Sequence, residues 1–239
     1  MTKINITIPI WNEAKILAKS LPLLIDILKK TLGDEEWFVV LSDNGSTDST
    51  AWVVQDMIKS YSNVFYYYSP NRGRGLALKE SWGNFPADFY GYIDADMDIH
   101  PQAIILAFNQ LSKEGYDLAI GSRAHEQSSI VRSWHRSFFT SLSSLLVRSI
   151  FPKIPQDTQC GIKLLTKNVV SRIVPSIQET GWFFDTELIL RSKKDNYRIA
   201  EIPVDIKNNR LGPRDSTVSL GKDGLKFLFC ILKFKKMGL

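Results

Sequence analysis

Polar breaks divide the first half of this chain into short apolar blocks. Lys3–Ile10, with Ile4, Ile6, Ile8 and Ile10 at alternate positions, reads as a buried first strand. From Glu13 to Leu32 the apolar residues Ile16, Leu17, Leu21, Leu24, Ile27 and Leu28 recur at helical spacing, and Gly33 supplies a stop. Trp37–Leu41 reads as a second strand running into the turn-rich loop Ser42–Asp48. A helix over Ser49–Tyr61, a strand over Val64–Tyr68, a basic glycine loop at Asn71–Gly75 and a helix over Leu76–Trp82 follow. Phe89–Ile93 is a further strand, Pro101–Glu114 a helix and Asp117–Ile120 a strand. Strands alternating with helices at this spacing predict an α/β protein with a mostly parallel sheet, flanked by helices and joined by right-handed crossovers.

The second half is less regular. Ile130–Phe151 is apolar along one stripe (Val131, Trp134, Phe138, Leu142, Leu145, Val147) and predicts a long helix. Asp157–Leu165 reads as a loop entering a strand, Asn168–Ile173 and Thr186–Lys194 as helices, and Ile199–Val204 as a strand. Lys207–Ser219 is a polar loop. After it, Lys222, Lys226, Lys233, Lys235 and Lys236 interleave with Leu225, Phe227, Leu228, Phe229, Ile231, Leu232 and Phe234. Such a basic amphipathic stretch either lies in a membrane interface or docks on the core with its lysines in water.

Composition narrows the class. The 239 residues suit one domain, and 44% hydrophobic with 23% charged residues is the profile of a globular protein with a full core. Two cysteines, Cys160 and Cys230, give neither a disulfide framework nor metal-ligand spacing, so reduced thiols and a cytoplasmic setting are expected. The chain opens directly on its first strand, so no signal peptide is expected, and no apolar run reaches the roughly 18–20 residues of a membrane span. A net charge of +5 favours anionic partners. No zinc-finger or RNP-like pattern points to nucleic acid, which leaves nucleotide phosphates or an acidic membrane face.

Ligands of parallel α/β sheets bind beyond the carboxyl ends of the strands. Four polar signals fall there in order: Pro9-Ile10-Trp11-Asn12-Glu13, Asp43-Asn44-Gly45-Ser46-Thr47-Asp48, Asn71-Arg72-Gly73-Arg74-Gly75, and Asp94-Ala95-Asp96 with Asp98 beyond. A strand ending in carboxylates at i and i+2 turns both to one side, where their repulsion calls for a divalent cation with oxygen ligands. Each signal is common as a turn or strand end. Four in order along one sheet edge are harder to dismiss, and a divalent cation there that also grips a diphosphate would make a nucleotide-sugar site.

These motifs resemble those of family-2 glycosyltransferases with the GT-A fold: P-x-Y-N-E, D-D-G-S-x-D, N-x-G-K-G and D-x-D. Gly121-Ser122-Arg123-Ala124-His125 and Asp157-Thr158-Gln159-Cys160-Gly161-Ile162-Lys163-Leu164 resemble the branch that transfers hexoses to polyprenyl and dolichyl phosphates. The resemblance spans roughly residues 4 to 230. It implies one GT-A-like domain over 1–239, with a nucleotide-sugar half (1–122), an acceptor half (123–220) and a basic C-terminal segment (221–239). It implies inverting transfer of a hexose, dependent on Mg²⁺ or Mn²⁺, glucose from UDP-glucose in the first instance, by a protein peripheral on the cytoplasmic membrane face.

The resemblance also implies roles. Trp11 stacks on the base or packs in the core, Glu13 and Asp43 accept from base and ribose, and Pro9 and Ala95 line the same site. Arg74 offsets diphosphate charge between Gly73 and Gly75. Asp94 meets the ribose or orients the metal, Asp96 is the leading metal ligand, and Asp98 is the second. Arg123, Arg132, Arg136, Lys163 and Arg210 face the acceptor phosphate; Asp157 and Lys163 shape that pocket or close on the diphosphate, and Arg210 and Ser216 sit in a loop over the donor. Asp185 falls where relatives carry a base or an acceptor-positioning carboxylate, and equally suits a helix N-cap. A phosphate acceptor is already anionic at neutral pH and dispenses with a base. The rival enzyme reading, transfer to a glycan hydroxyl, makes Asp185 essential as that base. A third reading is a catalytically silent nucleotide-sugar module. Two residues depart from the pattern: Asn44 replaces an Asp, and Trp11 replaces a Tyr.

Overall fold

The computed structural model describes residues 2–33, 35–131, 147–152, 154–206 and 229–239. The elements in order are β1 (Lys3–Ile10), α1 (Ala14–Thr31), β2 (Glu36–Asn44), α2 (Thr50–Met57), β3 (Val64–Ser69), α3 (Arg74–Asn84), β4 (Phe89–Ile93), α4 (Ala103–Ser112), β5 (Leu118–Ser122), β6 (Ser129–Ile130), β7 (Ile162–Thr166), α5 (Lys167–Arg172), α6 (Phe184–Lys194), β8 (Ile199–Pro203) and β9 (Asp205–Ile206). Seven strands form one sheet in the order β3-β2-β1-β4-β7-β5-β8. Only β7 runs antiparallel to its neighbours, between β4 and β5.

Alternation along β1 explains both layers. Ile4, Ile6, Ile8 and Ile10 join α1 and α4 in one apolar core. Asn5 and Thr7 point the other way, toward α3, where Thr7 Oγ1 meets Ser81 Oγ at 2.7 Å and Asn5 Nδ2 donates to Phe85 O at 2.9 Å. Ser42 Oγ adds a bond to Ala77 O at 2.9 Å. This second face carries Tyr90, Tyr92, Leu78, Trp82, Phe184 and Leu188. Polar pins on a buried face fix the register of α3 on the sheet, and α3 begins at Arg74.

The predicted elements are present, with instructive shifts. β2 continues through Ser42, Asp43 and Asn44, because pairing with β3 (Asp43 with Tyr68, Asn44 with Ser69) overrides their turn propensity. Arg74 and Gly75 belong to the first turn of α3, not to the preceding loop. The i/i+2 reading of Asp94 and Asp96 is corrected. β4 ends at Ile93, and a turn closed by Met97 N–H on Asp94 O at 3.1 Å takes over, so strand alternation does not govern these carboxylates. Asp185 is not an N-cap, for α6 already begins at Phe184. Of the long helix expected over Ile130–Phe151, residues 132–146 lie outside the described residues; Ile130 pairs with Ile206 as strand, and residues 147–150 are helical. Arg132, Arg136, Arg210, Ser216, Lys222 and Lys226 lie outside the described residues.

Residues 229–236 are helical and dock on the core: Cys230, Ile231 and Phe234 pack with Val147, Phe151, Phe183 and Leu190, leaving Phe229 and Leu232 exposed. No helix among the described residues is long and apolar enough to cross a membrane.

Gly75 sets how closely α3 approaches α6. A Cβ there would lie 2.5 Å from Phe184 Cβ, against backbone-proximal atoms that cannot rotate away. Gly75→Ala is therefore expected to lower stability by about 1–3 kcal/mol, as overpacking does, and to reduce turnover by parting Arg74 from Asp185. Thermal melting together with a transfer assay checks both.

Candidate active site

The first three motifs meet at the carboxyl ends of β1, β2 and β3 and are tied to one another. Asn12, in the left-handed region at φ 56°, accepts on Oδ1 from Thr47 N at 2.8 Å, while its own N–H donates to Ser46 Oγ at 2.9 Å. Glu13 is buried, and its N–H donates to Thr50 Oγ1 at 2.8 Å. Asn44 explains its departure from Asp. Its amide nitrogen donates to Ile10 O at 2.9 Å while its amide oxygen accepts from Gly73 N at 3.3 Å, and an ionised carboxylate cannot do the first. The Asp43 carboxylate is buried, with Ser46 N–H on Oδ1 and the Tyr66 hydroxyl on Oδ2, both at 2.8 Å. Burial and the Asp43 charge push the Tyr66 phenol up, so it stays a donor. The Arg72 guanidinium sits 3.7 Å from the Trp11 ring centroid, so one ring face is already covered by a cation.

Behind this rim lies a buried charge network. Arg74 Nε donates to Asp94 Oδ1 at 3.1 Å, and Arg74 Nη1 donates to Asp185 Oδ2. Asp185 Oδ1 accepts from the Tyr92 hydroxyl at 2.5 Å and faces Lys163 Nζ at 3.3 Å. Lys163 Nζ also donates to Tyr92 Oη and to Cys160 O, each at 3.0 Å. Burial pushes the Asp185 carboxyl up, but Arg74 and Lys163, with the hydrogen bonds, more than reverse this and hold it below the ordinary carboxylate range. Burial and Asp185 raise the Tyr92 phenol well above its ordinary value.

Next to it Arg123 grips Asp157 with two side-chain bonds, Nε to Oδ2 at 2.6 Å and Nη2 to Oδ1 at 2.7 Å, and a third from its backbone N–H at 3.0 Å. Asp157 too is held low, burial being outweighed by these bonds and the Arg123 charge. Cys160 is pushed up to about 12, mainly by burial, and stays an inert thiol.

The expected acceptor role of Lys163 does not fit this geometry. Its side chain is wholly buried and its donors are directed at internal partners, so no anion reaches it. Among the described residues no three potential ligands converge, and Asp94, expected to meet the ribose or orient the metal, is bonded to Arg74. Asp96 is largely buried in the turn, where Asp98 N–H donates to its Oδ1 at 3.3 Å. Hard carboxylate oxygens at this turn fit Mg²⁺ or Mn²⁺ in the manner of one or two protein ligands completed by phosphate oxygens, rather than an all-protein site. Sequence reasoning missed Tyr66, Tyr92 and Trp182. The two tyrosines sit in apolar strands and read as core. Trp182 follows Gly181 and gave no periodic signal; its half-exposed ring lies 5.3 Å from the Arg74 guanidinium. The segment that carries it is fastened by buried Glu187, which accepts from Gln178 N at 3.1 Å and Glu179 N at 2.9 Å.

The profile described as Glycosyl transferase family 2 matches residues 5–215. The chain belongs to glycosyl transferase family 2. This glycosyltransferase is similar to dolichyl-phosphate beta-glucosyltransferases: 30% identical to the mouse protein over 97% of this chain and 76% of the relative. It is 28% identical to that of Saccharomyces cerevisiae over 92% of this chain and 72% of the relative. It also resembles glycosyltransferase AglD of Haloferax volcanii, 24% identical over 85% of this chain, but the match spans only 33% of that longer protein. Among solved structures, glucosyl-3-phosphoglycerate synthase of Mycobacterium tuberculosis superposes with a TM-score of 0.70, covering 96% of this chain and 80% of that one at 17% identity. That structure holds Mn²⁺, UDP and glucosyl-3-phosphoglycerate. The likeness establishes the GT-A fold that the motifs implied, and family membership sets aside the silent-module reading.

The two depressed carboxylates make a stability claim with a definite sign. Asp157 and Asp185 contribute stability in full above the unfolded Asp value of about 3.9, and lose it as pH falls through their lower folded values. Asp157→Asn leaves the Arg123 guanidinium uncompensated and is expected to cost about 3–5 kcal/mol at pH 7. Its loss on acidification should also be smaller than that of the unaltered protein. Denaturant titrations at pH 7 and pH 3 measure both.

Proposed function

We propose that this glycosyltransferase moves glucose from UDP-glucose to the phosphate of a polyprenyl or dolichyl phosphate, with inversion, giving a β-linked lipid-phosphate sugar. The dolichyl-phosphate beta-glucosyltransferases it resembles support donor sugar and acceptor class, and the UDP-bound structural neighbour supports the nucleotide. The observation that carries the reading is the state of Asp185. A general base must be able to take a proton, yet both oxygens of this carboxylate are filled by Arg74, Tyr92 and Lys163, and its basicity is depressed. A sugar hydroxyl acceptor needs such a base. A phosphate monoester, with a second pKa near 6, arrives already anionic.

The residues then divide the work. Trp11, Glu13 and Asp43, with Pro9 nearby, hold base and ribose, and Tyr66 orients Asp43. Gly73, Arg74 and the Asp94-Ala95 peptide border the diphosphate, where Arg74 offers a planar cation. Asp96, with Asp98 beside it, would hold Mg²⁺ or Mn²⁺, which when bound supplies Lewis-acid stabilisation of the leaving diphosphate. Arg123, steadied by Asp157, receives the acceptor phosphate together with Arg132, Arg136 and Arg210 from outside the described residues. Residues 1–122 thus supply the groups that meet the donor and 123–220 those that meet the acceptor, while Asp185 and Lys163 support Arg74 from the second half. The exposed Phe229 and Leu232, with Lys235 and Lys236 also exposed, support peripheral adhesion to an anionic membrane face, in keeping with a cytoplasmic setting.

A donor panel of labelled nucleotide sugars with a short polyprenyl phosphate tests this. Label from UDP-glucose is expected in the organic phase, dependent on added Mg²⁺ or Mn²⁺, with the rate falling below about pH 6 as the acceptor takes up its second proton. Asp185→Asn should weaken UDP binding and lower kcat only modestly. A kcat loss of about 10²–10⁴-fold with unchanged UDP affinity would instead mark Asp185 as a base and the acceptor as a hydroxyl.

A further inference from the structure

We propose that Lys163 is a positioning residue of the donor site, acting through the two carboxylates that hold Arg74. Lys163 is a fully buried cation with three internal neighbours on three different walls. Toward α6 its Nζ stands 3.3 Å from Asp185 Oδ1, the carboxylate whose other oxygen takes Arg74 Nη1. Toward β4 it donates to the Tyr92 hydroxyl, which itself donates a hydrogen bond to the same Asp185 oxygen at 2.5 Å. Toward the segment before β7 it donates to Cys160 O. The next residue, Gly161, accepts on its carbonyl from Asp94 N at 3.2 Å. A Cβ on Gly161 would lie 2.1 Å from Asp94 Oδ2, so the Asp94 carboxylate rests directly on this peptide. One ammonium therefore locates Asp185 directly and Asp94 through the Cys160–Gly161 peptide. Between them these carboxylates fix the guanidinium in two directions, Nε and Nη1.

The remaining nitrogen shows what the fixing is for. Arg74 Nη2 is buried and has no hydrogen-bond partner among the described residues. Orphaned buried donors are uncommon and call for a ligand. A guanidinium edge presents N–H groups suited to phosphate oxygens, and this one lies beside Asp94 at the end of β4. The local charges balance: Arg74, Arg123 and Lys163 against Asp94, Asp157 and Asp185. Without Lys163, buried Asp185 would have only Arg74 as counter-charge. The guanidinium would then be drawn toward α6 and away from Asp94.

The inference rests on the reading that Arg74 meets the donor diphosphate, and the two can fail separately. The experiment is calorimetric titration of the full chain with UDP in the presence of Mn²⁺, on Arg74→Met, Lys163→Met, Asp185→Asn and the Lys163→Met/Asp185→Asn pair, with circular dichroism melting of each. Lys163→Met is expected to weaken UDP binding about tenfold alone and no more than about threefold in the Asp185→Asn background, because much of its effect passes through Asp185. Tyr92→Phe, which removes one hydroxyl and keeps the packing, should weaken UDP a few-fold and carries the test if Lys163→Met does not fold. Undiminished UDP affinity in a folded Lys163→Met, or in Tyr92→Phe where that variant carries the test, overturns the positioning role. So does a Lys163→Met loss fully additive with that of Asp185→Asn. Unchanged affinity in Arg74→Met would instead remove the diphosphate assignment beneath it.

Discussion

The arrangement depends on how one buried guanidinium is shared between two carboxylates. Arg74 opens α3, Asp94 starts the turn after β4 and Asp185 lies in the first turn of α6. None of the three is local to another in sequence, so the charge network records the tertiary fold. Charges this deep are tolerated only when paired and hydrogen-bonded. That requirement accounts for Lys163, Tyr92 and the glycines at 75 and 161, which otherwise read as unrelated core positions.

Packing and chemistry are linked at these glycines. Gly75 lets α3 press on Phe184, which brings Arg74 within reach of the neighbouring Asp185. Gly161 leaves space for the Asp94 carboxylate against its peptide. The polar pins from Thr7, Asn5 and Ser42 hold α3 in register on a face that is otherwise apolar. Gly73 N–H in turn donates to Asn44 Oδ1, so the glycine loop is joined to the strand that carries Asp43.

Much of this was legible in the sequence, and the failures have physical causes. Alternating apolar blocks gave the α/β order, and four polar signals at strand ends gave the site edge, because parallel sheets put their loops there. Asp43 and Asn44 read as a turn from propensity, yet pairing with β3 keeps them extended. Lys163 read as an acceptor ligand because its motif resembles that of the polyprenyl-phosphate branch, whereas the antiparallel β7 carries it into the core beside Asp185. Asp185 read as a base or a cap for lack of any view of its neighbours. Tyr92 was hidden by its strand: an aromatic in an apolar run looks like packing, and only the tertiary placement of Asp185 gives its hydroxyl a task.

The functional reading follows from the same network. A carboxylate enclosed by two cations and a phenol is suited to holding a cation in place and poorly suited to removing a proton. An acceptor that brings its own negative charge fits such a site, and the resemblance to dolichyl-phosphate beta-glucosyltransferases agrees with it. The most direct measurement is a crystal structure of this protein with UDP and Mn²⁺. The account predicts Arg74 Nη2 within hydrogen-bond distance of a diphosphate oxygen while Nη1 stays on Asp185. Arg74 turned away from the diphosphate, with Asp185 released and facing the acceptor side, would contradict it.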